Sequence, residues 1–313
     1  MAVTNQEKYV NQGEKIAQQG DDAWKTGAYD TAKNRYGEAV DFFHAQGDVW
    51  GEAQVLVRWG ELALSLEDFD LAHKLFSSAI ELVENEPDAE TVLADACIKT
   101  AKVYIAQYEL DKALAYVKKA ENVLDRGGSP ILLGDAYDQE AYIYLLNGED
   151  DKALSAYKKA ADVFAKDRIG LKEASVLRAM ARLAMKEKDY DKAHDWLENC
   201  RAPYRENGDI LGEASALSAI GSLRFIIGDI ENARKALMKS VYLYGKVEHH
   251  FAEAEALLYL ARVEASDAQQ GDFARAKTHY KKSIELYDFL QNNVMKNAVL
   301  DEYNSFLKRE NIA

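Results

Sequence analysis

Lys188-Asp-Tyr-Asp-Lys-Ala193 decides the fold, because the chain returns to this pattern at near-constant spacing. Its counterparts are Gly27-Ala-Tyr-Asp-Thr-Ala32, Glu67-Asp-Phe-Asp-Leu-Ala72, Tyr108-Glu-Leu-Asp-Lys-Ala113, Gly148-Glu-Asp-Asp-Lys-Ala153, Gly228-Asp-Ile-Glu-Asn-Ala233 and Gly271-Asp-Phe-Ala-Arg-Ala276. The closing alanines lie 40, 41, 40, 40, 40 and 43 residues apart. A period held from end to end specifies a repeat array, not a globule around one core.

Each alanine anchors a helical stripe. Four residues on stands a bulky side chain (Tyr36, Phe76, Val117, Tyr157, Leu197, Leu237, Tyr280), and seven on a small one (Ala39, Ala79, Ala120, Ala160, Cys200, Ser240, Ser283). Spacings of four and seven share one face of a helix. Twelve residues before the alanine lies another small residue: Gly20, Gly60, Ala101, Ala141, Ala181, Gly221 and, past a three-residue insertion within Glu264–Gln270, Ala261. Small residues at matched sites on two helices predict a close approach there. Between them, glycine can end the first helix and aspartate can cap the second. Each block is therefore expected to be a helical hairpin, giving fourteen helices, with an amphipathic capping helix from about Gln291 to Arg309.

Composition narrows function. Thirty-nine basic against 53 acidic residues argue against nucleic acid or an anionic membrane as the main partner. No apolar run is long enough for membrane insertion, the N-terminus lacks a signal-peptide pattern, and two cysteines fit a reducing compartment, so a cytoplasmic location is expected. Cys97 and Cys200 both fall on packing positions. No phosphate-binding glycine loop, nucleophile elbow or metalloprotease motif occurs. Gly127-Gly128-Ser129-Pro130 reads as a turn. His73 and His194 take equivalent helix-surface sites in separate blocks, and His249-His250 with His279 has no metal-ligand spacing. The expectation is a non-enzyme with no cofactor and no metal.

The pattern of a small residue late in the first helix, an alanine opening the second, an aromatic four on and an alanine seven on resembles the tetratricopeptide repeat superfamily. Linkers such as Gly47-Asp-Val-Trp-Gly-Glu-Ala53, Gly208-Asp-Ile-Leu-Gly-Glu-Ala214 and the degenerate Arg168-Ile-Gly-Leu-Lys-Glu-Ala174 make the 40-residue unit similar to Pins/LGN adaptors, kinesin light chains and bacterial peptide-receptor regulators. The helix-closing proline of shorter members is mostly missing; Pro203 alone lies near such a place, with Pro87 and Pro130 in linkers. The resemblance implies an all-α, right-handed superhelical solenoid of seven hairpins plus the C-terminal capping helix. It reads as one array over 1–313, with units at about 8–46, 48–85, 90–125, 134–167, 170–207, 210–247 and 250–290.

The same resemblance places the first helix of each hairpin on a concave surface, at offsets readable here. Eleven before the alanine stand Asp21, Glu61, Lys102, Tyr142, Arg182, Ser222 and Arg262. Fifteen before stand Ala17, Val57, Ile98, Asp138, Arg178, Ser218 and Leu258, and fourteen before stand Gln18, Arg58, Lys99, Gln139, Ala179, Ala219 and Tyr259. Arg178 with Arg182 and Lys99 with Lys102 form cationic pairs, which Arg58 and Arg262 extend. Tyr142, Tyr259 and Trp24 are candidate aromatic anchors. Asp135 and Asp138 either neutralise neighbouring cations or receive a basic ligand residue. Arginine forks suit carboxylates, so a partner protein or peptide with acidic residues is expected. The competing reading is that these cations are solvated or paired with acids of the adjoining unit.

The sequence thus points to a non-catalytic scaffold that holds a partner peptide or helix in its groove. The alternatives are a peptide-sensing regulator whose superhelix changes pitch, and a self-assembling scaffold in which the chain is a homo-oligomer.

Overall fold

The computed structural model describes residues 5–125, 128–266 and 273–309, with side chains described from 12 onward. The chain divides into two compact units, Met1–Arg168 and Ile169–Ala313. The first contains α1 (Asn5–Lys25), α2 (Tyr29–Gln46), α3 (Val49–Ser65), α4 (Phe69–Val83), α5 (Glu90–Ala106), α6 (Leu110–Leu124), α7 (Pro130–Leu146) and α8 (Asp150–Lys166). The second contains α9 (Gly170–Lys186), α10 (Tyr190–Glu206), α11 (Ile210–Ile226), α12 (Ile230–Lys246), α13 (His250–Ser266), α14 (Phe273–Phe289) and α15 (Asn293–Arg309). Among the described residues every regular element is a helix. The seven hairpins and the final helix agree with the expected all-α repeat architecture; the 267–270 part of the insertion and Gly271-Asp272 lie outside the described residues.

The hairpins form because both of their ends are capped locally. Asp68, Asp189 and Asp229 accept the backbone N–H three residues on and start α4, α10 and α12. Asp48 and Asp209 do the same for α3 and α11, at 2.9 and 2.8 Å. The capping expected throughout is absent at Ala28, Glu109 and Glu149: alanine has no acceptor, and the glutamates make no side-chain cap bond. At the other end, Gly148 and Gly228 close α7 and α11 in the left-handed region, with φ of 75° and 83°. Asp209→Ala is expected to cost about 0.5–2 kcal/mol, read as a lower urea midpoint with unchanged slope.

Packing shows what the small residue twelve before the alanine makes room for. At Gly221 an added Cβ would meet the carbonyl oxygen of the repeat alanine, Ala233, at 3.3 Å, the close approach expected between these two positions. A Cβ on Gly20 would fall 2.7 Å from the Tyr36 ring, one on Gly221 2.6 Å from Leu237, and one on Gly60 would overlap Phe76. The glycine is therefore a socket for the bulky residue four past the alanine. The small residue seven past it meets a different partner, earlier on the same hairpin's first helix: Ser240 Oγ donates to the Ala214 carbonyl and Ser283 Oγ to that of Ala254, both at 2.8 Å. Antiparallel helices make this crossing necessary, since moving forward on one runs backward on the other. Tyr36, Phe76 and Leu237 are fully buried in these sockets. Pro203 lies within the last turn of α10 and does not close it; Pro130 opens α7 at its first position, where a missing N–H is harmless. Cys97 and Cys200 are buried, and burial pushes their thiols up to about 12 and about 11.

Within each unit the first helix of a hairpin touches the first helix of the next: α1, α3, α5 and α7 in the first unit, and α9, α11 and α13 in the second. In each unit these helices form a wall, and the second helices pack behind it.

α15 covers the last hairpin, burying Val299, Tyr303 and Phe306. Its Glu302 receives two bonds from Arg262, at 2.9 and 2.7 Å, and one from the Tyr280 hydroxyl at 2.9 Å. The Arg262 bonds first, then Tyr280, hold this carboxyl below the usual glutamate range. A carboxyl depressed by folding stabilises above its unfolded pKa, and that stability disappears as pH falls through the folded value. Acidification below about pH 4.5 is therefore expected to loosen α15, and Glu302→Gln to make its attachment pH-insensitive. Resonances of Tyr303 and Phe306 in a pH titration would report both.

Candidate functional site

The wall of first helices carries the residues singled out in the sequence, and the two units use them differently. In the first unit the cations are committed. Arg58 pairs with Glu14 at 2.8 Å and Asp21 at 3.5 Å, and Lys99 binds Glu61 with Asp95 nearby. Lys102 and Asp138 are half-buried and partnered, and Tyr142 is exposed. Burial, then Glu61 and Asp135 against Lys99 and Lys102, leaves the Asp95 carboxyl above its ordinary value. A cavity of about 450 Å³ is framed by Gln54, Arg58, Glu61, Thr91, Asp95 and Leu132. For Arg58 and Lys99 the competing sequence reading, pairing with the adjoining hairpin's acids, describes the structure.

The second unit differs. Arg262 is spent on Glu302, with Tyr259 stacked 5.2 Å from its guanidinium. Arg178 and Arg182, one turn apart on α9, form no ion pair among the described residues. Arg182 is exposed. Arg178 is half-buried, and its Nε is sealed from solvent without a hydrogen-bond partner among the described residues.

Arg178 opens onto a cavity of about 510 Å³. Its rim is apolar: Leu171 of α9, Leu211 of α11 and Phe251 of α13. Its polar lining comes from Ser175, Ser215, Asp209, His249 and Glu255, with Tyr204 and Tyr244 reaching in from α10 and α12. Both tyrosines are 5% exposed, and burial raises both phenols, against the opposing pull of Arg178. Tyr204 and Tyr244 line this cavity together with Arg178, Ser175 and Ser215. Gly212 makes room for the Tyr204 ring: any Cβ there would overlap it.

Sequence reasoning named Arg178 and Arg182 but missed the rest of this cavity. The stripe extends by heptad steps toward the helix start: Leu171, Ser175, Arg178, Arg182 on α9, Leu211, Ser215, Ser218, Ser222 on α11, and Phe251, Glu255, Leu258, Arg262 on α13. A second overlooked signal lies eleven residues past the repeat alanine. There the first unit has Phe43, Val83, Leu124 and Phe164, whereas the second has Tyr204, Tyr244 and Tyr287. Three consecutive aromatic hydroxyls at one register mark a polar floor.

Among the described residues no group of histidine, cysteine or acidic side chains is arranged to hold a metal, and no helix is long and apolar enough to cross a membrane. His249 accepts the Ala252 N–H at 3.3 Å, and His73 meets the Tyr104 hydroxyl at 2.8 Å.

Comparison with known proteins agrees with this architecture. Residues 214–246 match the tetratricopeptide repeat family model. No curated protein sequence matches. Among solved structures, aspartyl phosphate phosphatase F from Bacillus subtilis superposes with a TM-score of 0.67 at 14% identity, over 90% of this chain and 71% of that one. The apo form of RapI gives 0.66 at 14% identity, over 90% and 99%. A Rap protein complexed with competence and sporulation factor gives 0.57 at 15% identity, over 86% and 78%. At such identities the likeness is one of fold.

Proposed function

We propose that this chain, an array of tetratricopeptide-type hairpins, is a non-catalytic scaffold that binds a partner protein or peptide on the first-helix wall of its second unit. The observation that carries this is the contrast between units. Arg58 and Lys99 are paired with neighbouring carboxylates, whereas Arg178 and Arg182 form no ion pair among the described residues, and Arg178 lines a cavity with an apolar rim. A guanidinium without an ion-pair partner that faces a cavity offers charge-assisted hydrogen bonds to an incoming carboxylate. Arginine flanked by aromatic side chains is also the composition of interface hot spots. The fold supports the reading too, since stacked hairpins present long surfaces for holding other molecules.

The test is affinity capture with wild type and with Arg178→Glu/Arg182→Glu, followed by measured affinity for the captured protein. Loss of about tenfold to a hundredfold, with an unchanged helical circular dichroism spectrum, is the expected result. Equal binding by both would move the site off this wall. A cavity of this size also suits a peptide sensor in which a small ligand alters a second partner's binding. In that case added peptide changes partner affinity; for a passive scaffold it only competes or has no effect.

A further inference from the structure

We propose that Asn147 is a site of spontaneous covalent modification, its side-chain amide cyclising onto the Gly148 backbone and opening to aspartate or isoaspartate. The fold holds the same reaction back at Asn207.

Asparagine followed by glycine occurs twice in the chain, at Asn147-Gly148 and at Asn207-Gly208. Both pairs are exposed, and they close α7 and α10 with the glycine in the left-handed region, at φ of 75° and 69°. A Cβ on either glycine would meet nothing within 4 Å, so no packed side chain shields the glycine nitrogen. The two backbones match closely. Asn147 has a ψ of −7° and Asn207 a ψ of 0°. Gly148 N–H donates to the Leu145 carbonyl at 3.0 Å and Gly208 N–H to that of Arg205 at 3.2 Å, a bond that must open before either nitrogen can react.

The side chains differ. Asn207 Nδ2 donates to the Pro203 carbonyl at 2.8 Å, which ties the nitrogen that must leave to the preceding helical turn. The Asn147 amide makes no such bond among the described residues and is free to turn toward Gly148.

The chemistry needs only water. The Gly148 nitrogen attacks Asn147 Cγ; an N–Cγ bond forms, the Cγ–Nδ2 bond breaks, and the Gly148 amide proton leaves with Nδ2 as ammonia. Water then adds to one carbonyl of the cyclic imide. Opening one C–N bond restores the ordinary backbone with an aspartate, and opening the other routes the chain through Cβ as isoaspartate. Aspartate sets a negative charge at the C-terminal end of α7, against the helix dipole and beside Glu149, Asp150 and Asp151. Isoaspartate adds a backbone atom inside the closure where Gly148 and Glu149 N–H return to Leu145 and Tyr144, at 3.0 and 2.8 Å. Either product loosens the turn joining α7 to α8.

The experiment incubates the full chain in warm, mildly alkaline buffer, folded and, in parallel, unfolded in urea. Peptide mapping by mass spectrometry follows conversion at 147 and at 207. Relative to the unfolded chain, folding should slow position 207 about twofold to tenfold more than position 147, the range that one tethering hydrogen bond supplies. Asn147→Gln should abolish the faster of the two conversions and leave that at 207 unchanged. Converted protein, separated by ion exchange, should show faster hydrogen exchange at Gly148 and Glu149 than fresh protein. Equal or greater slowing at 147, or no conversion there while the unfolded chain converts, overturns the proposal. Unchanged exchange in the converted protein overturns the loosening of the turn.

Discussion

Arg234→Met is expected to destabilise the second unit by about 3–5 kcal/mol, although Arg234 lies outside the proposed binding cavity. Its Nε donates to Glu264 Oε1 at 3.0 Å, linking α12 to α13. Glu264 is 1% exposed, so removing the guanidinium leaves a carboxylate in the interior with its main counter-charge gone. The loss is large because of that stranded charge and not because the pair itself is worth so much. Two comparisons separate these causes. Glu264→Gln in the Arg234→Met background should recover most of the stability, and Glu264→Gln alone should cost less than Arg234→Met. Urea unfolding of the three variants measures all of this. If Arg234→Met costs under about 1 kcal/mol, the pair behaves like an exposed one.

Phe76→Ala should be comparably severe, at about 3–5 kcal/mol, in the first unit. The ring is fully buried and occupies the socket left by Gly60, which has no side chain of its own to fill the vacated space. Hydrogen exchange should show α3 and α4 losing protection before the more distant helices of that unit, because each hairpin leans mainly on its neighbours. The converse change, Gly60→Leu, forces the ring out of a filled socket and is expected to cost about 1–3 kcal/mol. A smaller effect for Phe76→Ala than for Gly60→Leu would mean that the socket relaxes.

The hairpins were legible in the sequence because the period and stripe are local properties. Ala72, Phe76 and Ala79 share a helix face whatever surrounds them. Which small residue meets which large one was not legible, since the pairing depends on how two antiparallel helices cross. Hence Gly60 receives Phe76, and Ser240 reaches back to Ala214. The wall's electrostatics were half legible. Positions of Arg58, Lys99, Arg178 and Arg262 follow from register, but not which are already paired. A signal for that exists: Lys99 and Glu61 stand 38 residues apart, and Arg262 and Glu302 stand 40 apart, close to the repeat spacing. Residues one period apart on this wall are neighbours, so an acid one period away marks a cation as spent. For Arg178, one period in either direction leads to Asp138 and Ser218. Asp138 lies in the other compact unit and Ser218 carries no charge, which is where this rule stops.

The most direct test of the proposed binding wall is site-specific photo-crosslinking with the captured partner. A benzoylphenylalanine replaces Leu211 on the cavity rim in one variant and the exposed Met238 of α12 in another. The account predicts a crosslinked product from position 211, lost when Arg178→Glu is added, and little from position 238. Efficient crosslinking at 238 with none at 211 would contradict it.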